Sequence, residues 1–213
     1  MTVYNPFDDP EIAGKYEHWY HTSGKQAAHL EKQLLGSFLE KFPGTTTILD
    51  IGCGTGYFTN WYQKMGYQAY GLDRSFMMIK HSKRYENLPC CLGDAVALPF
   101  PDHSFDLVSY VTSLEFFPDV KAALREGLRV ARQGMLVGAI NRQSLLGLKY
   151  RKKGGPIWGH ARLFTLGELK QMLEEILGTP FMMQSKTTLW PLFIKSSKLP
   201  WGGFLVLAVM DIR

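Results

Sequence analysis

Ile48-Leu49-Asp50-Ile51-Gly52-Cys53-Gly54-Thr55-Gly56 is an apolar run interrupted by one carboxylate and closed by three glycines at alternate positions. The apolar part reads as a buried strand and Gly56–Lys64 as the helix that follows. Between them the backbone has to turn sharply. A ligand lying across the strand's carboxyl end needs that backbone close, where any Cβ would push it away. The helix adds free N–H groups at its amino end. Dinucleotide folds use a related turn with Gly-x-Gly-x-x-Gly spacing, which sets a pyrophosphate on the helix end. Here the spacing is Gly-x-Gly-x-Gly, and Asp50 stands two residues before the first glycine. A carboxylate there repels a pyrophosphate and suits a cationic ligand.

Working outward, the pattern repeats. Strand-like Thr46–Ile51, Tyr67–Leu72, Pro89–Leu92, Phe105–Val111 and Met135–Ile140 alternate with helical periodicity, Ser75 and Asp119 being helix caps. Such alternation implies crossovers and a parallel sheet covered on both faces. Upstream, Leu30, Leu34, Leu35, Phe38, Leu39 and Phe42 form one apolar helix face that Pro43-Gly44 ends, and Asp9–Tyr20 reads as a short aromatic helix. Downstream, Asn141–Phe164 breaks the rhythm and reads as an insertion with one helical turn. Thr165 and Glu168 form a capping box, and Phe181–Leu189 and Phe204–Met210 read as two last strands joined by a surface loop.

Asp73 ends the second strand, where a carboxylate accepts from ribose hydroxyls, without choosing the cofactor. Asp94, after the third strand, suits an adenine amine. Three acidic residues at three successive strand ends lie where open parallel sheets bind ligands.

The bulk properties are consistent with one globular unit. The 213 residues are 46% hydrophobic, with a formal charge of +5, enough apolar material for a substantial core. The mild basic excess, including Lys149–Lys153, accommodates nucleic acid without requiring it. Cys53, Cys90 and Cys91 show no zinc or disulfide spacing and read as buried thiols of a cytoplasmic protein, with no metal site. No signal-peptide pattern opens the chain, and Phe204–Met210 is too short for a spanning helix.

The stretches ILDIGCGTG, GLDRS, GDAVALPFPDHSFDLV and SLEFFPD together resemble the class I S-adenosylmethionine-dependent methyltransferases, and among them the type-11 group similar to the quinone and menaquinone biosynthesis enzymes. The resemblance implies a Rossmann-like α/β sheet of seven mostly parallel strands, the last strand antiparallel, with helices on both faces. It implies one domain over 1–213: a helical lid over 1–44, a cofactor-binding core over 45–140, an insertion over 141–164 covering the acceptor side, and a helix and strands over 165–213. It places Asp50, Gly52, Cys53, Gly54 and Gly56 at the methionine part of the cofactor, Asp73 and Arg74 at ribose and adenine, and Asp94 and Ala95 at adenine. Val111, Thr112 and Ser113 pass beneath, and Tyr16 or Trp19 closes over the top. The expected partner is a small-molecule acceptor. An RNA or other nucleic-acid methyltransferase and a non-catalytic cofactor-binding module are the alternatives. Candidate bases are His21, Glu115 and His160; Phe116, Phe117, Trp158 and Phe164 are candidates for the acceptor pocket, with Asn141 and Arg142 as polar contacts.

Overall fold

The structure is a computed structural model and describes residues 4–178, 181–189, 194–198, 201–210 and 212. Two helices, α1 (Pro10–His21) and α2 (Lys25–Leu39), precede the alternating unit β1 (Thr47–Ile51), α3 (Tyr57–Lys64), β2 (Gln68–Asp73), α4 (Phe76–Ser82), β3 (Cys90–Leu92), β4 (Phe105–Val111), α5 (Val120–Val130) and β5 (Ala131–Ile140). Then come α6 (Leu145–Lys153), α7 (Gly155–Trp158), α8 (Leu166–Leu177), β6 (Met182–Leu189), β7 (Ile194–Ser197) and β8 (Phe204–Met210).

The sheet order is β3-β2-β1-β4-β5-β8-β6-β7. From β3 to β5 all pairs are parallel. β8 lies antiparallel between β5 and β6. The seven expected strands are present, and β7 adds an eighth at the edge beside β6, within the connection that sequence assigns to a loop.

Strand alternation divides the core in two. Leu49, Ile51, Val108, Tyr110, Leu205 and Leu207 pack with α5 and α8. Ile48, Leu107, Val111, Phe204 and Val206 pack with α2 and α3 on the other face. This is the period-2 consequence of the pleat. Asp50, next to Leu49, therefore faces α3.

Capping residues set the boundaries. Asp9 accepts from the N–H groups of Glu11 and Ile12 and starts α1. Ser75 caps α4, Asp119 caps α5, and Thr165 with Glu168 completes the capping box of α8. At the foot of the sheet Asp106 accepts from the N–H and hydroxyl of both Thr46 and Thr47, at 2.8–3.0 Å, and from Arg132. Burial pushes that carboxyl up, but these donors outweigh it and hold it well below the usual range.

Three expectations change. Residues 141–164 hold two helices rather than one turn; Ser144 caps α6 by accepting from Gly147 N–H at 2.9 Å, and the basic last turn of α6 suits the helix dipole. β5 begins at Ala131, directly at the end of α5, across a register shift in its pairing with β4. Cys91 is exposed rather than buried. Among the described residues no helix is long and apolar enough to cross a membrane, and no group of three or more His, Cys, Asp or Glu side chains is arranged to hold a metal ion.

Candidate active site

The turn after β1 is built by backbone hydrogen bonds. Gly52 and Cys53 both donate N–H to the Leu72 carbonyl, at 2.7 and 3.1 Å. Gly54 donates to Asp73 Oδ2 at 2.8 Å, and Ser75 N–H donates to Asp73 Oδ1 at 2.8 Å. Asp73 thus fastens the glycine turn to the start of α4. Gly52 and Gly54 have φ of +72° and +56°, the left-handed region that a side chain disfavours. A Cβ on Gly52 would lie 2.4 Å from Ser113 Cβ. A Cβ on Gly54 would meet nothing nearer than Tyr16 Cε1 at 3.8 Å, so it would project into the cleft.

The opposite wall is the end of β4. Val111, Thr112 and Ser113 line the cleft there, and Ser113 Oγ donates to the Ile51 carbonyl at 2.9 Å. Thr112 has φ +48°. A β-branched residue in that region is strained by about 1–3 kcal/mol, and such strain collects at functional sites. Its N–H donates to the Gly138 carbonyl at 2.8 Å.

The roof comes from the N-terminal segment. Phe7, Tyr16 and Tyr20 line the cleft, and Ser75 Oγ donates to the Phe7 carbonyl at 2.7 Å. Glu17, 1% exposed, accepts from the hydroxyls of Thr55 and Tyr85 and pairs with His21 at 3.1 Å. One buried carboxylate therefore holds α1 to the glycine turn and to the chain after α4.

The cleft, its open mouth included, takes in about 620 Å³. Its floor is acidic. Burial, and less so the nearby Asp73, raises the Asp50 carboxyl to about 7 although Thr59 donates to it at 2.7 Å. Burial also raises Asp73, against the N–H groups of Ser75 and Gly54. Cys53 contacts Cys90, and that hydrogen bond together with burial pushes the Cys53 thiol up.

Tyr16, Asp50, Gly52, Cys53, Gly54, Asp73, Arg74, Val111, Thr112 and Ser113 all line this one cleft. Three of the expected cofactor residues do not. Gly56 begins α3 and faces Leu88. Asp94 is exposed, with its carboxylate on Val96 N–H at 3.2 Å. Ala95 is buried in the core. Of the candidate bases, His21 has a side chain 61% exposed and is held by Glu17, and His160 is exposed against the Tyr4 ring. Glu115 is buried, with Oε1 accepting from Ile140 N–H at 2.7 Å.

Phe116 and Phe117 line the cleft and Trp158 stands 6.1 Å from Phe116, whereas Phe164 belongs to the core. Asn141 bonds the Gly202 carbonyl, and Arg142 pairs with Glu168 at 2.9 Å. Sequence reasoning missed Phe7, Tyr20, Tyr57 and Met78 in the lining. The aromatic density of the N-terminal segment was the signal for the first two; nothing local marked Met78.

The family model described as "Methyltransferase domain" matches residues 49–137. A malonyl-[acyl-carrier protein] O-methyltransferase from Hamiltonella defensa is 34% identical over 119 residues, 54% of this chain and 46% of that protein. A demethylmenaquinone methyltransferase from Renibacterium salmoninarum is 34% identical over 129 residues, 60% of this chain and 53% of that protein. The chain spans about half the length of the curated relatives it matches. Over nearly the full length of both chains, 98% and 99%, the fold matches a crystal structure from Thermotoga maritima with a TM-score of 0.82 and 25% identity; that protein is described as an S-adenosylmethionine-dependent methyltransferase and a possible histamine N-methyltransferase. The chain thus carries a methyltransferase domain over residues 49–137, set in the fold of the class I S-adenosylmethionine-dependent methyltransferases.

Proposed function

We propose that this chain transfers the methyl group of S-adenosylmethionine to a small organic acceptor in the cleft between the glycine turn and the end of β4. The observation that carries this reading is the joint between Gly54 and Asp73. The turn is held open and side-chain-free while a buried carboxylate beneath it keeps lone pairs for a ligand's hydroxyls. The residues fit the group. Asp50 and Asp73, both raised by burial, gain from a ligand that carries cationic ammonium and sulfonium centres. The missing Cβ at Gly54 leaves room for it.

When bound, S-adenosylmethionine supplies a methyl on a cationic sulfonium, already activated for displacement. The protein's own work is then alignment and exclusion of water. Asp73 accepts from the ribose hydroxyls, with Arg74 beside it. Asp50 faces the amino-acid end along Gly52, Cys53 and Gly54. Val111, Thr112 and Ser113 form the wall beneath, and Tyr16 closes the roof, its ring among others that favour a cation. Gly56 shapes the turn from outside the lining, and exposed Asp94 keeps lone pairs for the adenine amine, with Ala95 beside it. Residues 1–44 act as lid, 45–140 as cofactor core, 141–164 as cover of the acceptor side and 165–213 as the closing helix and strands. Free Cys53, Cys90 and Cys91 suit a reducing cytoplasm.

Titration calorimetry with S-adenosylmethionine, followed by mass spectrometry of a metabolite extract incubated with it and the protein, tests the reading. Binding with a methylated product is expected. Absence of binding rejects the site; binding without any methylated product leaves a cofactor-binding module.

A further inference from the structure

Helix α6 carries apolar side chains on two sides, and only one side is covered. Leu146 and Tyr150 pack on the core. Leu145 and Leu148 lie outward, 73% and 44% exposed. The helix cannot roll to hide them. Ser144 caps its first turn through Gly147 N–H, and a Cβ on Gly147 would lie 2.2 Å from the Asn141 carbonyl oxygen, so that side is pressed against the preceding backbone. Trp201 adds a third uncovered apolar side chain, 64% exposed, near the start of the helix. The Gly202 carbonyl beside it accepts from Asn141 Nδ2 at 3.0 Å, and the Asn141 carbonyl accepts from Ser144 Oγ at 2.7 Å.

The rest of the outward side is cationic. Leu145, Leu148, Lys149 and Lys152 stand at the spacing of one helix face. Arg151 and Lys153 flank them. All four cations are exposed and make no ion pair among the described residues. Residues 141–164 contain six Lys and Arg and no Asp or Glu. The helix dipole favours cations in the last turn, which leaves the leucines and the tryptophan unexplained.

Apolar side chains in water beside a block of unpaired cations are complementary to an anionic surface with an apolar layer beneath it. A bilayer containing acidic phospholipid has both. Nucleic acid offers phosphates but no apolar layer for Leu145 and Leu148. A second copy of the chain would set like charges face to face. The indole and the long basic side chains suit the headgroup boundary, where their apolar bodies sink and their polar ends stay wet.

We propose that α6 and Trp201 form a docking surface for membranes that contain acidic phospholipid. Leu145, Leu148 and Trp201 enter the boundary between headgroups and acyl chains, and the basic last turn of α6 meets lipid phosphates. The surface adjoins the cleft: Tyr150 stacks on Trp158 at 3.8 Å, and Trp158 stands 6.1 Å from Phe116 in the lining. Attachment brings the Phe116 side of the cleft toward the lipid without any segment crossing it, and does not depend on what the cleft binds.

The test is co-sedimentation of the full chain with vesicles of phosphatidylcholine, alone or with about one third phosphatidylserine, at low salt and at roughly 0.5 M sodium chloride. The chain is expected to partition onto the acidic vesicles at least tenfold more strongly than onto the neutral ones, and high salt weakens that binding at least tenfold. Lys149→Gln with Lys152→Gln weakens it at least tenfold, and so does Leu145→Gln with Leu148→Gln, in which every charge is intact. Both pairs are exposed and keep helix-forming residues, so circular dichroism and Tm stay as in the wild type. If the leucine pair unfolds, Trp201→Gln decides the apolar half, with at least a threefold loss expected. Equal binding to neutral and acidic vesicles overturns the proposal, as does binding that neither the leucine pair nor Trp201→Gln alters. Binding to a single-stranded RNA oligonucleotide and to no vesicle overturns it in favour of a nucleic-acid surface; binding to neither overturns it outright.

Discussion

Each oxygen of Asp73 spends one lone pair on a backbone N–H, from Gly54 or Ser75, and keeps another for a ligand. Asp73→Ala removes both tasks. It is expected to weaken S-adenosylmethionine binding by about 1.5–3 kcal/mol, the range for hydrogen bonds to a charged group, which is roughly tenfold to more than a hundredfold in Kd. It also lowers Tm, because two N–H groups lose their partner. Unchanged Kd in calorimetry sinks the assignment. Gly54→Val acts differently: its side chain enters the cleft and its backbone resists φ +56°, so cofactor binding falls below detection; wild-type affinity in that variant means the ligand lies elsewhere. These glycines were legible because their spacing is local. Glu17 and Glu31 were not, since Glu17 meets Thr55 and Tyr85 far along the chain and the neighbours of Glu31 come from several elements. Asp94 was local too: it follows a strand and stands exposed, with its carboxylate on the N–H of Val96.

Among the elements, α1 depends most on a single side chain. Without the Glu17 carboxylate, the hydroxyls of Thr55 and Tyr85 lose their acceptor, at a cost of about 1–3 kcal/mol. For a chain of this size that is a Tm drop of roughly 2–12 °C. Glu17→Ala is therefore expected to lower Tm and speed amide hydrogen exchange in α1, with α5 and α8 unaffected. Wild-type exchange in α1 refutes the latch. The alternating elements and the caps of α4, α5 and α8 could be read directly, since strand runs and capping residues are local signals. Helix α6 could not, because exposed Leu145 and Leu148 and its basic last turn give it no clear apolar face. β7 escaped because a four-residue edge strand owes its form to β6 rather than to its own pattern.

For the whole molecule, acidity sets the stability profile. Asp50, Glu31 and Glu115 titrate near 7 when folded, against about 3.9 for Asp and 4.3 for Glu unfolded. Between those limits the native state holds more protons, so stability falls as pH rises from about 4 to about 7 and levels off above. The slope is at most about 1.4 kcal/mol per pH unit for each group. Asp73 and Thr59 face Asp50; Lys32 and Glu115 face Glu31. In the opposite sense, Asp106, Glu126 and Glu168 are depressed when folded, and their stabilisation is lost as pH falls below about 4. Thermal unfolding of the ligand-free protein is expected to peak near pH 4, where the two trends meet, and decline toward pH 7.5, with the decline shallower in Glu31→Gln. A Tm that rises steadily from pH 5 to 7.5 contradicts the burial of these acids.

The position of β8 has a consequence for synthesis. It follows β1 to β7 in chain order, yet it sits inside the sheet, and among the described strands β6 joins β5 only through it. As the chain leaves the ribosome, β1 to β5 are available to pair and shape the cleft well before β8 emerges. Until then the outer edge of β5 stays open to any passing strand, and the β6–β7 hairpin has nothing to dock on. The ligand-binding half is thus made before it is sealed, and a nascent chain halted before Phe204 leaves an open strand edge exposed to aggregation.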